Sequence, residues 1–158
     1  MHDQVRVSLR VKASPARAFA VFTEEIAAWW RPNPMFALTP RSPGRMAFEP
    51  GVGGRLVEIL PSGKVFEVGV ITVWEPGARL VFGWRTATFA PDWDGLVEVV
   101  FEPVGEETRV TVIHSGWLKV PRDHVARHGF PDVVFLQRYG EWWRSLLAAL
   151  AQTVGPDG

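Results

Sequence analysis

A chain of 158 residues with 47% apolar side chains has the length of one ordinary domain and enough apolar surface to enclose a core, so we predict one domain over residues 1–158. Its 17 basic side chains balance 17 acidic ones, which excludes the basic surface expected for binding nucleic acid or an anionic membrane. The lack of cysteine excludes disulfides, thiolate nucleophiles and cysteine-based zinc sites.

The N-terminal sequence MHDQVRVSLRV has no basic segment followed by an apolar one, and no apolar run in the chain is long enough to cross a bilayer. We therefore expect a cytoplasmic protein without a membrane or nucleic-acid partner. A small, largely uncharged molecule is the partner that this composition favours, and no cofactor motif is present.

The first elements alternate between strand and helix signals. Residues 5–11 place apolar and polar side chains in turn, which predicts a strand with one face in solvent. Ser14 is suited to cap a short helix with Pro15 in its first turn. Thr23 is predicted to cap a second short helix over residues 24–30.

The rest of the chain predicts a meander followed by a helix. After an irregular, proline-rich stretch (33–44), short apolar segments are separated by Gly-rich and Pro-rich turns, which predicts antiparallel strands. These segments are 45–49, 55–60, 64–74, 79–85, 96–102 and 108–114. A helical period then runs from 132 to 153 through Phe135, Tyr139, Trp143, Leu146, Leu147 and Leu150.

This order defines an α+β fold class. A sheet of six to seven antiparallel strands with one apolar face needs a cover, and the terminal helix is the element long enough to provide it. We therefore predict a curved sheet wrapped around the C-terminal helix, with two short helices after the first strand and a space left at one end.

Two tryptophan doublets, Trp29–Trp30 and Trp142–Trp143, stand on predicted helices. Adjacent helical residues point about 100° apart, so one narrow packing seam cannot hold both rings of a pair. We predict that one ring of each doublet packs in the core and the other borders the mouth of the space. Trp143 shares the buried stripe, and Trp142 falls on its flank.

Several segments carry a resemblance to a known family. They are SPARAFAVFTEEIAAWW, FEPGVGGRLVEI, GVITVWEPGARLVFGW, EVVFEPVGEETRVTVIHSGW and WWRSLLAAL. In this order they resemble the activator of heat-shock-protein-ninety ATPase homologues, within the wider START and birch-pollen-allergen (SRPBCC) superfamily. The resemblance implies a helix-grip domain with a cavity between sheet and helix. It does not lead us to expect a chaperone partner, because the eukaryotic co-chaperone also needs a separate N-terminal domain.

Glu58 and Glu67 are the first candidates for chemistry. If the turn between their strands centres on Ser62 and Gly63, opposed residue numbers sum to about 125, and Glu58 faces Glu67. Two opposed carboxylates inside a cavity could act as an acid and a base. The alternative is that one carboxylate lies at the rim or pairs with a nearby arginine.

His114 is the second candidate. It shares a strand face with Val110 and Val112, and the hairpin register predicts that it lies opposite Val97. It is either a ligand donor and proton shuttle or a neutral core histidine bonded to a backbone carbonyl. His124 and His128 have a spacing that could hold a metal on a helix, but without a third ligand we predict no metal site.

The function predicted is binding of a small hydrophobic molecule in an internal cavity. One alternative is an enzyme of cyclase or hydrolase type that uses Glu58, Glu67 and His114. The other is a protein-interaction module, or a homodimer, with exposed rings such as Trp74, Trp93 or Trp117. The predicted ligand contacts are Trp30, Glu58, Glu67, Phe82, Trp84, Val99, Val112, His114, Tyr139 and Trp143.

Overall fold

A computed structural model describes residues 4–87, 95–116 and 132–154. In chain order the elements are β1 (Gln4–Val11), α1 (Pro15–Glu24), α2 (Ile26–Trp29), a 3-10 turn (Pro34–Phe36), β2 (Arg45–Phe48), β3 (Arg55–Ile59), β4 (Val65–Glu75), β5 (Arg79–Trp84), β6 (Gly95–Val104), β7 (Glu107–Ser115) and α3 (Asp132–Val154). The predicted strands, the two short helices and the long final helix are confirmed.

All strand pairs are antiparallel, in the order β1-β7-β6-β5-β4-β3-β2. Neighbours along the chain pair through short turns, and β1 joins the sheet beside β7. The resulting seven-stranded sheet curls into a half-barrel, whose concave face receives α3 and the two short helices. No helix within the described ranges has the length and apolar character needed to span a membrane.

The start of α1 follows from its sequence. The Ser14 hydroxyl accepts a hydrogen bond from the Arg17 N–H at 3.2 Å, and Pro15 occupies the first turn, as predicted. The predicted cap at Thr23 is wrong. Thr23 lies inside α1, where its hydroxyl donates to the Phe19 carbonyl at 2.9 Å, and α2 begins after Glu25.

The buried face of α3 is the predicted one. It carries Phe135, Tyr139, Trp143, Leu146, Leu147 and Leu150, each at most 2% exposed. These side chains pack against the inner faces of the strands and against Phe19, Phe22 and Ile26 of the short helices. The helix therefore fills most of the concave side of the sheet.

The hairpin of β3 and β4 departs from the predicted register. Leu56 pairs with Gly69 as predicted, but a bulge then shifts the register by one residue, so Val57 pairs with Glu67 and Glu58 with Phe66. A one-residue shift reverses the face of every side chain beyond it. Glu58 therefore faces the core, Glu67 faces outward, and the prediction that the two carboxylates oppose each other is wrong.

Candidate functional site

Each tryptophan doublet places one ring in the lining of a pocket and the other away from it, although this pocket is not the internal space that we predicted. Trp29 and Trp143 are 0% and 1% exposed and belong to the core, whereas Trp30 and Trp142 line a pocket. The Trp29 indole N–H donates to the Val21 carbonyl at 3.2 Å. In each doublet the buried ring therefore lies in the core and its neighbour forms part of the pocket wall.

Rings from three elements meet beside this pocket. The centroid of Trp30 lies 6.0 Å from that of Trp84 and 6.1 Å from that of Trp143, and the last two are 6.3 Å apart. Trp30, Trp84 and Trp143 therefore converge at one place. Such contacts hold the rings in a fixed arrangement beyond simple burial.

The pocket has a volume of about 320 Å³ and lies between the loop that follows α2, the strand β3 and the helix α3. Phe36 stacks on Trp142 with centroids 5.6 Å apart, and Trp30 meets Trp142 edge-on at 5.5 Å. The Trp142 indole N–H donates to the Arg31 carbonyl at 2.9 Å, which fixes the ring. Three aromatic rings therefore form an apolar wall of limited size.

Glu58 is the acidic group of this pocket and is only 4% exposed. Its Oε1 accepts a hydrogen bond from the Ser42 hydroxyl at 2.6 Å, and its Oε2 accepts from the Gly44 N–H at 3.0 Å. Among the described residues no cationic side chain forms an ion pair with it. A buried carboxylate is thus held in place by two neutral donors.

His114 lies deeper, away from the pocket lining. It is 0% exposed, and its Nδ1 accepts a hydrogen bond from the Trp143 indole N–H at 3.0 Å. The predicted pairing with Val97 is confirmed. Burial lowers the pKa of His114 from 6.5 to about 3, so the imidazole is neutral.

Tyr139 closes this end of the interior. Its ring lies 5.6 Å from that of His114, and burial raises the pKa of its hydroxyl well above the usual range, an effect that the Trp84 indole N–H partly offsets. No acceptor among the described residues meets full hydrogen-bond geometry for that indole. The described side chains at this point are buried, with His114 at 0% and Tyr139 at 2% exposure.

Of the predicted ligand contacts, Trp30 and Glu58 line the pocket. Seven others are core residues with at most 2% exposure, namely Phe82, Trp84, Val99, Val112, His114, Tyr139 and Trp143. Glu67 lines a groove on the outer face of the sheet and lies 3.7 Å from the Arg55 guanidinium, which agrees with the alternative of an arginine pair. Whether any of them touches a ligand stays a prediction.

Three lining residues, Phe36, Ser42 and Trp142, were not predicted as ligand contacts. Phe36 and Ser42 belong to the proline-rich stretch that shows no period, so its path could not be derived from the sequence. For Trp142, the predicted position on the flank of α3 was the signal from which a place in the pocket wall could have been predicted.

Of the remaining candidates from the sequence, only Trp74 lies among the described residues. Trp74 is half-buried and packs edge-on against Phe19 at 5.1 Å, so it is not part of an exposed patch. Trp93, Trp117, His124 and His128 lie outside the described residues. Within the described ranges no three potential ligand side chains are grouped as a metal site would require.

The curled sheet, the long final helix and the helices after the first strand are together the helix-grip fold. Protein MLL2253 from Mesorhizobium loti shares it with a TM-score of 0.66, at 19% identity over 94% of each chain. The Aha1 dimer from Colwellia psychrerythraea shares it with a TM-score of 0.64, at 16% identity over 98% of each chain.

The chain belongs to the family of Activator of Hsp90 ATPase homolog 1-like proteins, whose model matches residues 12–155. A further similar structure is that of Txn09, described as an anthrahydroquino-gamma-pyrone synthase complexed with SUM. It is 29% identical over 94% of this chain and 95% of that one, with a TM-score of 0.57. No curated protein matches the sequence significantly.

Proposed function

We propose that this protein binds a small, ring-bearing apolar molecule in the pocket formed by the loop after α2, β3 and α3. The observation that carries the proposal is the wall of Trp30, Phe36 and Trp142 around about 320 Å³ of space, with Glu58 as a buried polar group. Ligand sites combine an apolar, aromatic lining with a few fixed polar groups in this way. The volume is at the lower end of ligand pockets, which favours a small molecule.

The position of the site differs from the internal cavity predicted from sequence. The pocket lies at the edge of the sheet, where α3 meets the loop after α2, and His114 is not among its lining residues. A ligand here contacts the outer rings of the two doublets. The inner rings support them from behind.

The test fills the pocket without altering the core. Ala37 is an exposed residue of the lining, and Ala37→Phe places a ring in the space, whereas Ala78→Phe adds the same ring in the exposed turn between β4 and β5. The proteins are screened by thermal shift against fatty acids, sterols and aromatic polyketides. A ligand at about a hundred times its dissociation constant stabilises the folded state by about 3 kcal/mol.

We expect at least one compound to raise the melting temperature of the wild type and of Ala78→Phe and to leave Ala37→Phe unchanged. The proposal fails if no compound stabilises the wild type, or if Ala37→Phe binds as well as the wild type. Native mass spectrometry of protein purified from its own host is an independent measurement. It should show a bound small molecule that Ala37→Phe lacks.

A second candidate is an enzyme of cyclase type, which the 29% identity to a structure described as a pyrone synthase favours. The predicted set of Glu58, Glu67 and His114 does not support it, since Glu67 lies on the opposite face and His114 is buried and neutral. Among the described lining residues, Glu58 would be the acid or base. Turnover of a ligand found in the screen, lost in Glu58→Gln, separates this candidate from binding alone.

A homodimer is a further proposal, supported by the Aha1 dimer from Colwellia psychrerythraea. It concerns assembly and is independent of the pocket. Light scattering after size exclusion gives the mass directly.

A further inference from the structure

We infer that the molecule bound in this pocket carries a protonated amine, which forms an ion pair with Glu58. The inference rests on the proposed function and narrows the class of ligand. Glu58 is only 4% exposed and borders the aromatic wall of the pocket.

Both carboxylate oxygens of Glu58 accept hydrogen bonds from neighbouring groups. The Ser42 hydroxyl donates to Glu58 Oε1 at 2.6 Å and accepts from the Thr39 N–H at 3.0 Å. The Gly44 N–H donates to the second carboxylate oxygen. Both oxygens therefore accept, as a carboxylate does, and the geometry supplies two donors to the negative charge.

The Glu58 carboxylate has two neutral hydrogen-bond donors but no cationic partner among the described residues. In the described part of the chain the nearby Arg55 pairs with Glu49 and Glu67, and Glu58 takes part in no ion pair. Burying an unpaired charge among apolar groups is costly, and a cation that enters the pocket offsets that cost. A carboxylate has about four acceptor positions, so Glu58 retains two for a ligand.

The aromatic wall favours the same kind of ligand. A cation attracts the faces of indole and phenyl rings, most strongly where water is excluded. Trp30, Phe36 and Trp142 line the pocket together with Glu58. Asn33 Oδ1 already accepts from the Met35 N–H, and the Ser42 hydroxyl accepts from the Thr39 N–H and donates to Glu58, so neither oxygen competes with Glu58 for a cation. Rings and one unpaired carboxylate select an apolar amine over an apolar acid.

The experiment compares three probes of equal ring size: 1-naphthylmethylamine, 1-naphthalenemethanol and 1-naphthoate. Binding to the intact protein is measured by calorimetry near neutral pH. Because a hydrogen bond to a charged group contributes about 1.5 to 3 kcal/mol, the amine should bind at least about tenfold more tightly than the alcohol. The naphthoate should bind more weakly than both.

Glu58→Gln tests the residue, and Glu67→Gln makes the same change on the outer face of the sheet as a control. Glu58→Gln should reduce the preference for the amine over the alcohol to within about twofold, and Glu67→Gln should keep it. The comparison of probes on the wild type decides the inference even if Glu58→Gln does not fold.

Equal binding of amine and alcohol to the wild type, or an amine preference that survives in Glu58→Gln, overturns the inference. If that equal binding is lost in Ala37→Phe, the proposed pocket stands and only the amine is wrong. If the amine does not bind at all, the inference is overturned. The compound screen then decides the proposed function separately.

Discussion

At the scale of single residues, His114 couples the stability of the protein to pH. It lies opposite Val97 in the sheet, is fully buried, and accepts the indole N–H of Trp143. Tyr139 and Trp84 face it from α3 and β5, and neither bears a charge at neutral pH. These described neighbours of His114 supply no negative charge to an imidazolium.

The sign of the pH effect follows from the two pKa values. The pKa of His114 is about 3 in the folded state, against 6.5 for an exposed imidazole. Between these values the unfolded state binds the proton and the folded state does not, so the free energy of unfolding falls as pH decreases below 6.5 and levels off near 3. At two pH units below 6.5 the loss is roughly 2 to 3 kcal/mol.

His114→Asn keeps an acceptor for Trp143 but does not titrate. Urea unfolding of both proteins between neutral pH and about 4.5 should show a shallower decline for the variant, whatever its stability at neutral pH. Every other titrating group is common to both proteins and cancels in the difference. Parallel curves would mean that His114 becomes protonated in the folded state.

The contrast between His114 and Glu58 shows what the sequence can predict. The β6–β7 hairpin is regular over its whole length, so its turn fixed the partner of His114. The β3–β4 hairpin contains a bulge between Leu56 and Glu58, which no turn signal encodes, so Glu67 was placed on the wrong face. Burial of Glu58 also depends on Ser42 and Gly44, whose loop has no periodic pattern.

At the scale of elements, β4 is the strand that curves the sheet. It has register shifts against both β3 and β5, and Gly69 lies between them. A Cβ built on Gly69 would be 1.8 Å from the Gly83 carbonyl oxygen, whereas a Cβ on Gly83 meets nothing closer than 3.5 Å. The two glycines face each other, but only one of them has no room for a side chain.

Gly69→Ala and Gly83→Ala therefore form a matched pair. Gly69→Ala should lower the free energy of unfolding by about 2 kcal/mol or more, because the β4 and β5 backbones must separate. Gly83→Ala should change it by less than about 1 kcal/mol. Urea unfolding measures both, and similar losses in the two variants would show that the close approach of these strands does not shape the sheet.

At the scale of the whole molecule, the central strands and the loop over residues 33–44 differ in how many backbone hydrogen bonds hold them. The β6 and β7 strands lie inside the sheet, with ladder partners on both sides. The loop over residues 33–44 is secured by single hydrogen bonds, such as those from the Ala87 N–H to the Leu38 carbonyl and from the Gly44 N–H to Glu58. The proposed pocket is therefore built on the more weakly bonded wall.

Hydrogen exchange followed by mass spectrometry tests this division within one protein. Segments with few buried contacts open locally, while central strands exchange only on global unfolding. Amides of residues 33–44 should exchange on the order of a hundredfold faster than those of β6 and β7, which serve as the internal control. A ligand in the pocket contacts both this wall and α3, so 1-naphthylmethylamine should slow amide exchange in residues 33–44. Exchange in β6 and β7 should slow only to the extent that the ligand slows global unfolding. Uniform exchange across both regions would mean that the wall is as stable as the sheet, so that the ligand enters a site already formed.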